Sequence, residues 1–208
     1  MSDTPLAEHA LLSDRHGLAL VDRDGAVVWW CPGRPDSPAV FARLLDDAAG
    51  SWTIRTLGVT ASRRRYLDNT LVLQSTFTAP TGTLVVTDAL LVGDGDREHS
   101  LGVDSPDVLV RRLHCPVGLV EVEMAFVPRP EFGVVHPQLT PVEGGLVAQG
   151  GADQLMLSCP TPLHVAGSTA RTAAVAGRRD RSPGAPARSA VWASPAIVAP
   201  RRTRQAAG

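Results

Sequence analysis

The sequence predicts an all-β protein, an antiparallel β-sandwich with one short helix and a disordered C-terminal tail. Short apolar or alternating runs recur between turn residues, a spacing typical of sandwiches. These runs cover residues 51–56, 70–79, 83–91, 108–115, 117–127, 146–149, 154–158 and 163–166. Only residues 38–45 have helical spacing, so the content excludes an α/β nucleotide-binding fold and a helical toroid.

Residues 18–30 predict a first β-hairpin. Two apolar runs flank the polar residues 22–25, which end in Asp24-Gly25, and an Asp-Gly pair between apolar runs is a strong hairpin signal. Successive side chains of a strand point to opposite faces. We therefore expect one of Trp29 and Trp30 in the core and the other at a loop or interface.

A short helix is predicted immediately after this hairpin and its loop. Ser37 can accept hydrogen bonds from free backbone N–H groups, and Pro38 suits the first helical position because it lacks a donor. The apolar face of this helix would consist of Val40, Phe41, Leu44 and Leu45.

The clearest alternation lies in residues 117–127. Glu121 and Glu123 share one face there, and the opposite face would join the core through Val120, Val122, Met124 and Phe126. The glutamates lie ~7 Å apart, which would suit paired carboxylates, but an exposed strand face explains them better. Turns at 80–82 and 115–118 are predicted to join hairpin partners.

Charge divides the sequence into two parts, although the total is −1. Residues 1–170 hold 12 arginines against 20 acidic residues, whereas residues 171–208 hold eight arginines against Asp180 alone. From residue 177 onward, 25 of 32 positions are Arg, Ala, Pro, Gly or Ser, without periodicity. We predict a sandwich domain over 1–176 and a disordered tail over 177–208, which is interpreted as an out-of-frame or misassigned end.

No segment reaches the ~20 apolar residues of a membrane span, and Asp3 and Glu8 do not suit a secretion signal. A cytoplasmic protein without a membrane partner is expected.

Cys31, Cys115 and Cys159 are odd in number and widely spaced, so we expect buried free thiols rather than disulfides or a zinc site. Residues 93–98 lack the bidentate glutamate of a calcium loop, and no metal or cofactor is predicted.

Arg63, Arg64 and Arg65 form the most basic run before the tail. Three guanidinium groups could bind phosphate or a carboxylate of a partner domain, while an exposed charge run is the simpler interpretation. No nucleic-acid partner is expected, because the basic tail has one aromatic residue, Trp192, and no folded reader of bases.

Three segments in order resemble the trehalase and glucoamylase family of glycoside hydrolases. The first surrounds the loop 31–37 and contains Asp24, Gly25, Trp29, Cys31, Arg34, Asp36, Ser37 and Pro38. The second spans residues 63–77, followed by Gly82 and the strand end at 86–88. The third consists of residues 109–113, 118–123 and 126–133. The resemblance covers residues 6–165 and implies the family's amino-terminal β-sandwich.

In that family the two catalytic carboxylates lie on an α-helical toroid after the sandwich, so the resemblance implies no catalytic residue here. It implies a domain that supports the toroid, its expected partner, and borders a pocket for trehalose or another glucoside. The residues expected to face the carbohydrate or the toroid are Trp30, Arg34, Asp36 and Ser37. An internal Arg34–Asp36 pair that orders the loop is the alternative.

Two other functions stay open. A stand-alone carbohydrate-binding module would require an exposed aromatic platform, because indole faces pack on the apolar faces of sugars. A truncated product without activity is the third interpretation. The sequence does not distinguish trehalose from a maltooligosaccharide or another glucoside as the substrate.

Overall fold

The computed structural model describes residues 4–94, 98–102, 104–151, 153–177 and 196–198. All strand pairing in these residues is antiparallel, which confirms the predicted all-β class. The strands are β1 (Ala10–Ser13), β2 (Leu18–Val21), β3 (Val27–Cys31), β4 (Ser51–Thr56), β5 (Ala61–Tyr66), β6 (Leu73–Ala79), β7 (Gly82–Leu90), β8 (Val108–Val127), β9 (Gln138–Val142), β10 (Gly145–Gly150), β11 (Asp153–Ser158), β12 (His164–Ala166), β13 (Thr169–Gly177) and β14 (Ala196–Val198). The helical content of the described residues is limited to 3-10 turns at Leu6–Glu8 and Glu98–Ser100, and neither could cross a membrane.

The long strand β8 belongs to two sheets. Its second half pairs with β4 and β13 in a first sheet, ordered β1-β2-β3-β4-β8-β13-β12. Its first half pairs with β7 and β14 in a second sheet, ordered β5-β6-β7-β8-β14-β11-β10-β9. The two sheets are therefore continuous through β8.

One hydrophobic cluster joins the inner faces of both sheets. Trp52, Ile54 and Phe126 come from the first sheet, and Leu84 and Leu109 come from the second. All five are at most 1% exposed. The predicted alternation in β8 is confirmed, because Val120, Val122, Met124 and Phe126 are buried whereas Glu121 and Glu123 are exposed.

The predicted helix over residues 38–45 is wrong. Val40 donates its backbone N–H to the carbonyl of Trp30 at 2.8 Å, and Trp30 donates to the carbonyl of Phe41 at 3.1 Å. The segment therefore runs as an extended neighbour of β3 before a turn over residues 43–45. Pairing with β3 satisfies backbone groups that a helix would have satisfied internally, so tertiary contacts override the helical pattern.

The hairpin predicted at residues 115–118 is also wrong, because β8 continues through this turn signal. Gly118 adopts φ of 69°, and a Cβ atom there would overlap the carbonyl oxygen of Thr81. Glycine permits this positive φ and the close approach of β7. The chain thus passes from one sheet to the other instead of reversing.

The strand β14 lies within the segment predicted to be a disordered tail. Ala196–Val198 pairs with both β8 and β11, and Ile197 is fully buried between Leu109 and Leu157. The prediction of disorder is therefore wrong for these three residues and for Gly177, the last residue of β13. The other residues of the predicted tail, 178–195 and 199–208, lie outside the described residues.

Candidate functional site

Trp30 does not face a carbohydrate site, which corrects the prediction. Its side chain is 0% exposed and stacks on Phe41, with ring centroids 6.1 Å apart. Phe41 in turn contacts Phe126 of β8 edge to face. Trp30 is the core residue of the Trp29-Trp30 pair because its strand position points inward, between the sheets.

Trp29, on the opposite face of β3, is half-buried and lies beside exposed Phe132. Their ring centroids are 6.1 Å apart, and their planes are tilted by 42°. The indole packs on a small buried cluster of Cys31, Ala39, Ala42 and Ala49. Val134, two residues after Phe132, is 78% exposed. We name Trp29, Phe132 and Val134 the aromatic surface.

The loop after β3 carries the other predicted residues, Arg34, Asp36 and Ser37. Arg34 donates to Asp36 through two bonds, Nε to Oδ1 at 2.7 Å and Nη2 to Oδ2 at 2.9 Å. The hydrogen bond from Arg34 lowers the pKa of Asp36, and the same bond raises the pKa of Arg34. The internal pair is thus present in the structure. Half-buried Ser37 donates its backbone N–H to the Arg34 carbonyl, as a turn residue rather than a helix cap.

Replacing Asp36 by alanine should leave the melting temperature of the chain nearly unchanged. Both partners of the Arg34–Asp36 pair are exposed, and exposed pairs stabilise little because water and salt screen them. Thermal unfolding followed by circular dichroism measures this. Asp22→Ala is the matched control and should melt lower, because Asp22 is mostly buried. A loss above about 3 °C for Asp36→Ala would contradict this prediction.

Asp22 fixes the segment that precedes β4. Its Oδ2 accepts from Arg43 Nη2 at 2.6 Å, with side-chain exposures of 14% and 25%. Its Oδ1 accepts from the backbone N–H of Ala26 at 2.8 Å, which closes the predicted Asp-Gly turn. The pair therefore ties the β2–β3 hairpin to the segment that runs beside Trp30.

A broad cleft of about 1050 Å³ is lined mainly by residues of the first sheet, together with Ser62 of β5 and Phe77 of β6. Arg55 of β4 lies directly opposite Glu123 of β8, and Arg171 of β13 lies opposite His164 of β12. All four residues line this cleft. Phe77 is the one aromatic side chain among the described lining residues, so the cleft has no tryptophan platform.

Arg63, Arg64 and Arg65 lie together on β5, which is an edge strand of the second sheet. Arg64 is half-buried and donates to the carbonyls of Glu8 at 2.9 Å and Val21 at 3.3 Å. Arg65 donates through Nε and Nη2 to Gln74 Oε1. Arg64 thus holds β5 against the first sheet, while Arg63 and Arg65 are exposed.

A buried ion pair between Arg111 and Asp88 was not predicted. Both are 0% exposed, with Nε and Oδ1 3.0 Å apart, and the guanidinium lies 5.2 Å from the Trp52 ring centre. Arg111 also donates to the carbonyls of Trp52, at 2.9 Å, and Gly25. Strand phase could have revealed it, because Asp88 and Arg111 occupy inward positions of neighbouring apolar strands.

The three cysteines are free and buried, as the sequence predicts. Burial raises the pKa of the Cys31 thiol to about 11, partly offset by a hydrogen bond from Trp29. Burial likewise raises the pKa of Cys115 and of Cys159. The thiols therefore stay protonated near neutral pH, which opposes nucleophilic chemistry.

The native thiols should resist alkylation by iodoacetamide at about pH 8, whereas urea-unfolded protein should react fully. Stability should also fall as pH rises from about 9 towards 11, because unfolded thiols release their protons first. Mass spectrometry and urea titrations at several pH values measure the two effects. Cys31→Ala is the control and should flatten the pH dependence. Rapid labelling of native Cys31 would refute the first expectation.

The described histidines, cysteines and acidic residues form no group of three or more that could hold a metal ion.

A family model described as trehalase-like, N-terminal, matches residues 1–178. The trehalases of Mycobacterium tuberculosis and Mycolicibacterium smegmatis are each 37% identical over 134 residues, covering 60% of this chain and 20% of the relative. Trehalase 1 of Sulfolobus acidocaldarius is 28% identical over 130 residues, covering 62% and 20%. The chain thus spans about a fifth of the length of these relatives. No solved structure matches it significantly.

Proposed function

We propose, from the premise that this chain belongs to the trehalase-like N-terminal family, that it is a non-catalytic sandwich supporting a catalytic domain. That domain is an α-helical toroid that hydrolyses trehalose or a related glucoside. The curated relatives are trehalases, and about four fifths of their length lies outside the part they share with this chain. The shared part is therefore a small portion of each enzyme.

The observation that carries the proposal is the aromatic surface. Phe132 is 46% exposed and Val134 is 78% exposed, and Phe132 lies beside Trp29, which packs on a floor of small buried residues. The Phe132 N–H donates to the Ala39 carbonyl at 3.1 Å, so the backbone that presents the ring is fixed. Rigid, partly exposed aromatic groups are typical anchors of protein interfaces. We assign this surface to the toroid.

The described carboxylates support a non-catalytic role. An inverting glycosidase places two carboxyl groups about 6.5–9.5 Å apart across the sugar, one of them protonated. Glu121 and Glu123 are both exposed on one strand face, and Glu123 lies opposite Arg55 in the sheet. Two carboxylates on the same strand face would lie on one side of a bound sugar rather than across it, so the pair does not suit this mechanism.

The proposal is tested with a chimera in which the full chain, β14 included, replaces the matched part of the M. tuberculosis trehalase. The full chain alone should not hydrolyse trehalose, and the chimera should. Phe132→Ser should lower the chimera's activity and melting temperature. Val117→Ser is the matched control, because Val117 is also exposed but lies on β8, away from the aromatic surface. Turnover by the chain alone, or an unaffected Phe132→Ser chimera, would refute the proposal.

A stand-alone carbohydrate-binding module is the second candidate. Half-buried Trp29 is the observation in its favour, whereas the burial of Trp30 and Trp52 and the tilt of Phe132 against Trp29 oppose a flat platform. Titration of the full chain with trehalose, followed by tryptophan fluorescence, separates the two functions. Saturable binding that Trp29→Ala abolishes would favour the module.

Unpaired buried thiols fit a reducing compartment, so we also propose a cytoplasmic location.

A further inference from the structure

The outer face of the second sheet carries a continuous row of apolar side chains. Val108 of β8 lies directly opposite Val198 of β14. Met156 of β11 lies between Val198 and Val147 of β10. Leu91, which follows β7, extends the row because its N–H donates to the Val108 carbonyl at 2.9 Å. We name these five residues the apolar row.

The side chains of the apolar row point away from the core. Their neighbours in the sequence are buried between the sheets, namely Leu90, Leu109, Leu146, Leu157 and Ile197. Because successive side chains of a strand point to opposite faces, the apolar row faces outward. Leu91 is 40% exposed and Met156 is 51% exposed. The row ends at neutral Thr140 of β9, and no described position along it is charged.

The sequence of these strands indicates that a further surface covers the apolar row. A strand buried on both faces reads as a continuous apolar run, whereas a strand with one face in water alternates. Three consecutive apolar residues occur at 108–110, 146–148, 155–157 and 196–198. The second half of β8 alternates instead, with Glu121 and Glu123 in water. One strand thus shows both patterns, and only its first half fits a sheet with two buried faces.

We propose that the apolar row binds the same row of a second copy of this chain. Trp29 and the rest of the aromatic surface lie on the outer side of the first sheet, so a toroid bound there leaves the apolar row open. This step rests on the proposed function. The described row has no charge to match a charged partner, and its own surface is the uncharged, apolar complement that it requires. A two-fold axis near Met156 would pack the two sheets face to face, about 10 Å apart.

The size of the apolar row sets the strength expected of this dimer. Five neighbouring strands at a spacing of ~4.8 Å make the row about 20 Å long across the sheet. Val110, opposite Ala89 of β7, widens it by one further position along β8. Such a patch is smaller than the ~800 Å² that each partner buries in a standard stable interface. We therefore expect a weak dimer, with a dissociation constant of about 10–100 μM.

The test is sedimentation equilibrium of the full chain over a concentration range of about 1–300 μM, which brackets the expected dissociation constant. The mean mass should rise from that of one chain towards that of two. Met156→Lys should weaken association about tenfold or more, because it brings two positive charges together near the two-fold axis. Met156→Leu keeps an apolar side chain and should associate like the original chain. Circular dichroism of each variant verifies that it is folded.

The matched control is Val175→Lys, which places the same charge at an exposed valine of the first sheet. It should associate like the original chain. A chain that stays monomeric across this range, or equal weakening in the control, would overturn the proposal. Loss of association in Phe132→Ser but not in Met156→Lys would also overturn it, by placing the contact at the aromatic surface.

The experiment uses the chain without a toroid, so a failure of the proposed toroid contact would not change its result. The trehalase chimera identifies the other occupant. If the chain alone is monomeric and Met156→Lys inactivates the chimera, the dimer is refuted and the apolar row is a contact of the toroid.

Discussion

Replacing Arg111 by methionine is expected to lower the free energy of unfolding by about 3–5 kcal/mol, the usual cost of breaking a buried ion pair. The change would leave the Asp88 carboxylate buried without its cation and would remove donors from the carbonyls of Trp52 and Gly25. These carbonyls belong to the first sheet and its hairpin turn. Arg111 therefore links both sheets, so its loss should destabilise the contacts of both sheets in the core.

Urea denaturation of the purified chain measures this effect. Arg112→Met is the matched control, because Arg112 neighbours Arg111 but is exposed, and should change stability by no more than about 0.5 kcal/mol. The double variant Arg111→Met/Asp88→Leu should recover part of the loss, since it removes the unpaired carboxylate as well. An Arg111→Met variant as stable as the Arg112→Met control would refute the role assigned to the pair.

The second large effect is expected at β14. Ile197→Ala should lower the free energy of unfolding by about 2–5 kcal/mol, because the side chain is fully buried between β8 and β11. Deleting residues 178–208 should lower the free energy of unfolding by more than this substitution does. It would remove the strand that joins β9, β10 and β11 to the rest of the second sheet. It would also open two strand edges, so the shortened chain should aggregate.

Urea titration and size-exclusion chromatography measure the two outcomes. Deletion of residues 201–208 is the control for chain shortening, because it removes charged residues and leaves Ala196–Val198 in place. It should remain monodisperse and nearly as stable as the full chain. If the 178–208 deletion melts and elutes like the 201–208 deletion, β14 does not contribute to the fold.

Strands with strict alternation could be predicted because their register decides which residues are buried. Residues 120–126 of β8 and the Asp24-Gly25 hairpin are the clearest cases. Residues 38–45 fit a helix equally well by spacing, and the backbone hydrogen bonds with Trp30 decide for the extended form. That partner lies in a neighbouring strand, so local pattern could not reveal it. The strand β5 was not predicted, because Arg63, Arg64 and Arg65 show no alternation of apolar and polar residues.

The candidate site could likewise be predicted from the sequence only in part. The Arg34–Asp36 contact could be foreseen because the residues lie two positions apart in one loop. The burial of Trp30 instead of Trp29 depends on which face of β3 meets the second sheet, and the sequence leaves both choices open. The aromatic surface joins Trp29 to Phe132, 103 positions later in the chain. Residues that distant meet only through the strand order of the whole sheet.

The sharing of β8 between two sheets has a consequence for how the chain folds. Residues 111–118 pair with β7, which precedes them in the chain, whereas residues 108–110 also need β14 and residues 119–126 need β13, both of which lie downstream. Pairings between distant segments are slow to form, because a long loop must close before any contact stabilises it. During synthesis, residues 111–118 of β8 should therefore acquire slowly exchanging amides well before the two ends of the strand. Pulse-labelling hydrogen exchange during refolding would show this order directly.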